Sequence, residues 1–238
     1  MSALFGTYAR TPIAFERGEG VRLFTKDNEE YIDLYAGIAV NALGHNHPTL
    51  VSALKDAADK VWHTSNIFTI NESEKLAQRL VDKTFADAVF FTNSGAEAIE
   101  CALKTARHHF FSIGQPDRTE IIGFHGAFHG RTMGTIAAGG NPSYLEGFGE
   151  PLAGFHHVDP NNIELVKQKV SDKTAAILIE PVQGEGGVTV MTDQFMQQLR
   201  ALCDETGTLL IFDEIQCGYG RTGKFLAHEW SGVSPDIA

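Results

Sequence analysis

Hydrophobic and polar positions alternate between strand-like and helix-like rhythms from about residue 70 onward. Apolar stretches at Val89–Phe91, Glu120–Phe124, Ala175–Ile179 and Thr208–Phe212 predict strands. Runs with so few polar breaks fit strands covered on both faces, as in the middle of a parallel sheet. Between them the apolar residues recur at helical spacing. A helix opening at Asn71 carries Leu76, Leu80 and Val81 on one face, and a second is predicted over Ala96–Phe110. A third, over Thr192–Glu205, turns Phe195, Met196, Leu199 and Leu202 inward, with Gly207 as its C-terminal stop. Strands alternating with helices predict βαβ units, a mostly parallel sheet flanked by helices and an α/β fold. The N-terminal region follows a different pattern. Arg22–Phe24 and Tyr31–Leu34, separated by KDNEE, predict an antiparallel hairpin, and Leu50, Ala53, Leu54, Ala57 and Val61 predict a helix over Thr49–Trp62. Residues 1–65 are therefore expected to form an N-terminal segment beside a sheet domain over residues 66–238.

Composition narrows the class of function. With 43% hydrophobic and 21% charged residues the chain is globular rather than disordered. A net charge of −11 argues against nucleic acid and anionic membrane surfaces as partners. No apolar run approaches the length of a membrane span. The opening MSALFGTYARTP lacks the basic-then-apolar pattern of a secretory signal. Cys101, Cys203 and Cys217 are odd in number and far apart, fitting neither a disulfide framework nor a zinc ribbon, so a reduced cytoplasmic setting is expected.

Candidate chemistry gathers just after the predicted strands. Leu209–Phe212 runs directly into Asp213 and Glu214. A charge at the end of a buried strand is costly without a partner, and ligands of open α/β sheets sit beyond the carboxyl ends of the strands. A cationic ring nitrogen is one suitable partner for Asp213; a plain turn-capping aspartate is the alternative. NSGAEA, Asn93–Ala98, joins a strand to a helix. Ser94 and Glu97 make a capping-box pattern there, Gly95 permits close backbone approach, and free amides at a helix start suit a phosphate. GFHGAFHGRT, Gly123–Thr132, offers the rings of Phe124 and Phe128, the imidazoles of His125 and His129, and Arg131, which can grip a carboxylate bidentately. His125 and His129 lack a third ligand in register, so a metal is not expected, and His45 and His47 read as part of a turn. EPVQGEGG places Glu180 and Glu185 in a Gly-rich turn, where each alone reads as a solvated loop charge. Gly218, Gly220 and Gly223 spell a dinucleotide fingerprint, but neither a long helix nor an acidic strand end about twenty residues on follows, so no dinucleotide site is expected.

Taken in order, AVNALGHNHP, NSGAEA, FHGRT, EPVQGEGG and FDEIQCGYGRTG make the chain resemble the class III aminotransferases, enzymes of the pyridoxal-phosphate fold type I group. The resemblance covers essentially the whole chain and implies pyridoxal 5'-phosphate as cofactor, amino acid and 2-oxo acid substrates, and a homodimer. It implies that Gly95 and Ala96 bind the cofactor phosphate with Ser94 beside them, and that Phe128 stacks on the pyridine ring. Asp213 would pair with the ring nitrogen and Gln216 with the phenolic oxygen; Arg131 would hold the substrate carboxylate. Glu185 would be a switch carboxylate that pairs with an arginine when no carboxylate is bound. Gly37, where ornithine δ-aminotransferases tend to carry Tyr, points to the branch acting on N-acylated ornithines, with the acetyl and succinyl compounds, and synthesis or breakdown of arginine, both left open. The family's Schiff-base lysine follows an S-P-D-I motif, here Ser234–Ile237, and is expected beyond Ala238. The chain is accordingly expected to be the N-terminal part of such an enzyme, inactive alone and lacking the C-terminal domain. The alternative is a non-catalytic cofactor-binding or dimer-forming chain.

Overall fold

The computed structural model describes residues 3–238. They form two compact units, one ending at Ile70 and one running from Asn71 to Ala238. The first unit holds a three-stranded antiparallel sheet, β1 (Phe15–Glu19), β2 (Arg22–Thr25) and β3 (Glu30–Ile32), joined in sequence order. The predicted hairpin is β2–β3, turned by residues 26–29 with Thr25 N–H donating to the Glu29 carbonyl at 3.1 Å. After a short left-handed turn, α1 (Ala36–Ala39), the chain returns to the sheet through an isolated bridge between Gly20 and His45. His45 Nε2 lies 2.7 Å from Asp33 Oδ2, which anchors the turn read at His45–Pro48. The helix that follows, α2 (Pro48–Ala58), stops short of Trp62, whose indole N–H caps the Ala58 carbonyl at 2.7 Å.

The second unit carries the site. Its sheet is four parallel strands in the order β5 (Phe155–Val158), β4 (Glu120–Phe124), β6 (Thr174–Ile179) and β9 (Leu209–Phe212). Side-chain alternation splits the core across the two faces. Ile122, Phe124, Ile177, Ile179, Leu210 and Phe212 pack with Phe195, Met196 and Leu199 of α8 (Asp193–Thr206). Ile121, Ala176, Leu178 and Ile211 pack with Ile99, Leu103, Ala106 and Phe110 of α4 (Gly95–Ser112). Helices on both faces are what the nearly unbroken apolar strands require. Thr192 caps α8 by accepting the Phe195 N–H at 3.2 Å, and Gly207 ends it in the left-handed region. Beyond β9, Phe212 N–H donates to the Ile237 carbonyl at 2.9 Å, a parallel bridge at the sheet edge.

One predicted strand does not form. Val89–Phe91 has no ladder, and the Phe90 and Phe91 side chains are exposed. β-propensity marks extended backbone, but a strand also needs a neighbour, and none of the described residues lies alongside. Conversely, β5, the helices α3 (Asn71–Val81) and α5 (Met133–Gly139), the turn α6 (Pro142–Leu145), α7 (Ile163–Lys169) and the small ribbon β7 (Val182–Gln183) with β8 (Thr189–Val190) complete the unit. Of these only α3 was marked by periodicity.

Candidate active site

Four segments converge beyond the carboxyl ends of the parallel strands. β9 delivers Asp213 and Glu214 at its end, and alternation sends them to different partners. Asp213 is 5% exposed; its Oδ2 lies 2.7 Å from His129 Nδ1, and its Oδ1 accepts the Ile215 N–H at 3.1 Å. An ionised carboxylate can only accept, so the imidazole donates from Nδ1. The ring's other nitrogen, Nε2, is buried without a hydrogen-bond partner among the described residues. Glu214 turns the other way, accepting from the backbone N–H groups of Ala227 (2.7 Å) and His228 (2.8 Å) and contacting His228 Nδ1 at 2.8 Å. Burial pushes the Glu214 pKa up, but the hydrogen bonds from His228 and the two N–H groups outweigh it and hold the carboxyl below its usual value. Glu214 is thus an internal anchor for the segment around η1 (Ala227–Trp230), leaving Asp213 as the carboxylate with capacity to spare.

β6 leads directly into Glu180, which the sequence presented as a loop charge; it is in fact 5% exposed. Sequence reading missed it because a Gly-rich turn follows, whereas the strand end itself stays inside the core. Its Oε1 accepts the Phe128 N–H at 2.9 Å. Burial, and secondarily the charge of Asp213, push its pKa up to about 7, with His129 opposing. Glu185, further along the turn, is exposed as expected, and Gln216 Nε2 approaches its Oε1 at 3.5 Å. Gly184 leaves the Gln216 amide its present place, since a Cβ there would fall 1.3 Å from Gln216 Oε1 and push it aside.

The loop after β4 closes the group. Gln183 Nε2 donates to the His125 carbonyl at 3.1 Å and ties this loop to the turn after β6. Phe128 is half-buried, with the Tyr144 ring set edge-on at 5.8 Å, and the Arg131 guanidinium stands over both rings at 5.8 and 5.7 Å. Tyr144, on α6, carried no signal in the sequence. Gly130 adopts φ 123°, and a Cβ there would meet Ala96 Cβ at 2.7 Å, so only glycine lets this loop rest on the start of α4. That start is capped by Ser94 Oγ, which accepts the Glu97 N–H at 3.2 Å. The reciprocal half of the capping box is displaced by one residue, because Glu97 Oε2 takes the Asn93 N–H at 2.7 Å. The N–H groups of Gly95 and Ala96 make no hydrogen bond among the described residues. Ile215 covers Gly95, its Cγ2 only 2.9 Å from where a Cβ would sit, joining α4 to the Asp213–Gln216 segment.

This donor set fits pyridoxal phosphate. A buried carboxylate has about four acceptor sites. Asp213 uses one on each oxygen, so a protonated ring nitrogen matches what remains. Two unengaged amides at a helix N-terminus suit a phosphate dianion. Ser94, Gly95, Ala96, Phe128, Arg131, Asp213, Gln216 and Glu185 all lie on these converging segments. His129 and Glu180 join them as residues whose partners the sequence could not specify.

Known proteins similar to this chain are aminotransferases. The acetylornithine aminotransferase of Agrobacterium fabrum is 58% identical over 234 residues, 98% of this chain and 59% of that protein. The chain therefore spans about three-fifths of the length of the curated relatives it matches. N-acetylornithine aminotransferase from Stenotrophomonas maltophilia K279a superposes with a TM-score of 0.82 at 41% identity, covering 97% of this chain and 59% of that one. The ornithine aminotransferase of Toxoplasma gondii superposes with a TM-score of 0.94 at 31% identity, covering 99% and 56%. A family model described as aminotransferase class-III matches residues 6–238. With strand ends, cofactor-matched donors and homologues all in accord, the chain belongs to the pyridoxal-phosphate-dependent class-III aminotransferases.

Proposed function

We propose that the protein carrying this chain transfers the terminal amino group of N2-acetylornithine to 2-oxoglutarate, in arginine biosynthesis and as a homodimer. The observation that carries the reading is the buried Asp213, held by His129 and retaining acceptor capacity, where the segments after β4, β6 and β9 meet the start of α4. The 58% identity to an acetylornithine aminotransferase favours the acetylated substrate, and so does Gly37, where the resemblance would put a larger Tyr in an enzyme acting on free ornithine.

In this reading the Gly95 and Ala96 N–H groups hold the phosphate at the α4 N-terminus, helped by the helix dipole, with Ser94 fixing the turn. Phe128 covers one face of the ring and excludes water from it. Asp213 keeps a proton on the ring nitrogen by charge, and His129 locks the carboxylate's orientation. When bound, the cofactor supplies the electron sink for the carbon that loses its proton. The Gln216 amide donates to the phenolic oxygen. Arg131 grips the substrate carboxylate with two parallel hydrogen bonds. Glu185 neutralises an arginine whenever a substrate brings no carboxylate to that position.

Glutamate formation by the complete protein, supplied in turn with N-acetylornithine, N-succinylornithine and ornithine beside 2-oxoglutarate, tests the proposal. The acetyl compound should give the highest kcat/KM. Preference for free ornithine or for the succinyl compound would overturn the substrate assignment, and absence of glutamate with all three would overturn the reaction.

A further inference from the structure

One buried carboxylate has no task in the mechanism above. Glu180 closes β6 beside Asp213 at the end of β9, since Ile179 and Phe212 are register partners and Asp213 N–H donates to the Ile179 carbonyl at 2.8 Å. A carboxyl group this deeply buried needs hydrogen-bond partners. Glu180 finds one in the main chain, accepting from Phe128 N–H at 2.9 Å. The residue after Phe128 is His129, whose ring reaches Asp213. One short loop is therefore fastened at two consecutive residues to two neighbouring strand ends, by backbone to Glu180 and by side chain to Asp213.

We propose that Glu180 is a positioning residue of the cofactor site, a strut that fixes the Phe128–His129 backbone so that ring face and carboxylate meet a planar cationic ring in register. This rests on the cofactor reading given above. Without the strut, rotation about the Phe128 peptide would tilt the phenyl ring and pull the imidazole from Asp213 together, so both contacts to the ring would degrade at once. The groups facing Glu180 are His129 from the loop and Asp213 from β9, besides the Phe128 N–H donor. Either protonation state of the carboxyl presents an oxygen to the Phe128 N–H. Glutamine, which also presents one, should therefore replace glutamate, whereas leucine, of similar size and without an acceptor, should not.

The test uses the complete protein and reads pyridoxal-phosphate affinity by fluorescence quenching and ring orientation by the circular dichroism of the bound cofactor. Glu180→Gln should stay within about threefold of the native affinity with the native dichroic band. Glu180→Leu should bind roughly tenfold or more weakly, with a diminished band. Native behaviour in the leucine variant would overturn the proposal, as would a glutamine variant as impaired as the leucine one. Should Glu180→Leu fail to fold, hydrogen exchange at the Phe128 amide of the unaltered protein decides: slow exchange supports the strut, and exchange at the rate of an open loop overturns it. Failure of the unaltered protein to bind pyridoxal phosphate would instead sink the cofactor reading, and the Phe128 exchange measurement would still judge the strut.

Discussion

Glu180→Gln also makes a quantitative claim about stability in the cofactor-free protein. Burial pushes the Glu180 carboxyl up to about 7 in the folded chain, against an ordinary value of 4.5. Between those two values the folded state holds a proton that the unfolded state has released. Folding is therefore most favoured by this group below pH 4.5, and the contribution is lost as the pH rises to about 7, beyond which it is flat. A shift of that size corresponds to about 3 kcal/mol, since each pKa unit is worth about 1.4 kcal/mol. Glutamine has no proton to release, so the variant should gain on the native protein by about 3 kcal/mol between pH 4.5 and 8. Urea unfolding at half-unit steps of pH measures both proteins. Taking their difference removes the titrating groups that do not interact with Glu180, among them His157, whose pKa burial lowers. A difference that stays level within about 0.5 kcal/mol across the range would refute the assignment of Glu180 as a protonated buried acid.

Two further substitutions probe the site in the complete protein. Asp213→Asn keeps an oxygen for the His129 Nδ1–H and should fold and bind some cofactor, yet lose on the order of a hundredfold in turnover, because an amide cannot hold a proton on the ring nitrogen by charge; near-native turnover would remove Asp213 from that role. Gly184→Ala should drive the Gln216 amide from its present position, since the new Cβ would occupy the place of Oε1, and should shift the visible absorbance of the bound cofactor; an unchanged spectrum would show that Gln216 does not reach the phenolic oxygen.

The sheet was legible because its strands are buried on both faces and so lack polar interruptions: Glu120–Phe124 appears with the same bounds in sequence and structure. α8 was legible for another reason, Thr192 and Gly207 being local signals whose chemistry needs no tertiary context. Phe155–Val158, the edge strand, was not legible, because its two histidines interrupt the apolar pattern. Val89–Phe91 erred in the opposite direction, for apolar β-formers cannot by themselves supply a neighbour. Within the site, the positions of Asp213, Gly95 and Phe128 followed from strand ends and helix starts. The bonds from His129 to Asp213 and from Glu180 to Phe128 join residues 84 and 52 positions apart, and no local pattern encodes which of several polar side chains turns inward.

Asp213 and Glu214 are adjacent, yet the pleat of a strand aims them at separate neighbourhoods. His228 and the backbone around it absorb Glu214, while Asp213 faces the loop that bears Phe128 and His129. The division gives the protein a form of modularity at single-residue scale. A change at Asp213 leaves the hydrogen bonds of the neighbouring anchor in place, and loss of Glu214 should register as a folding defect rather than as altered chemistry.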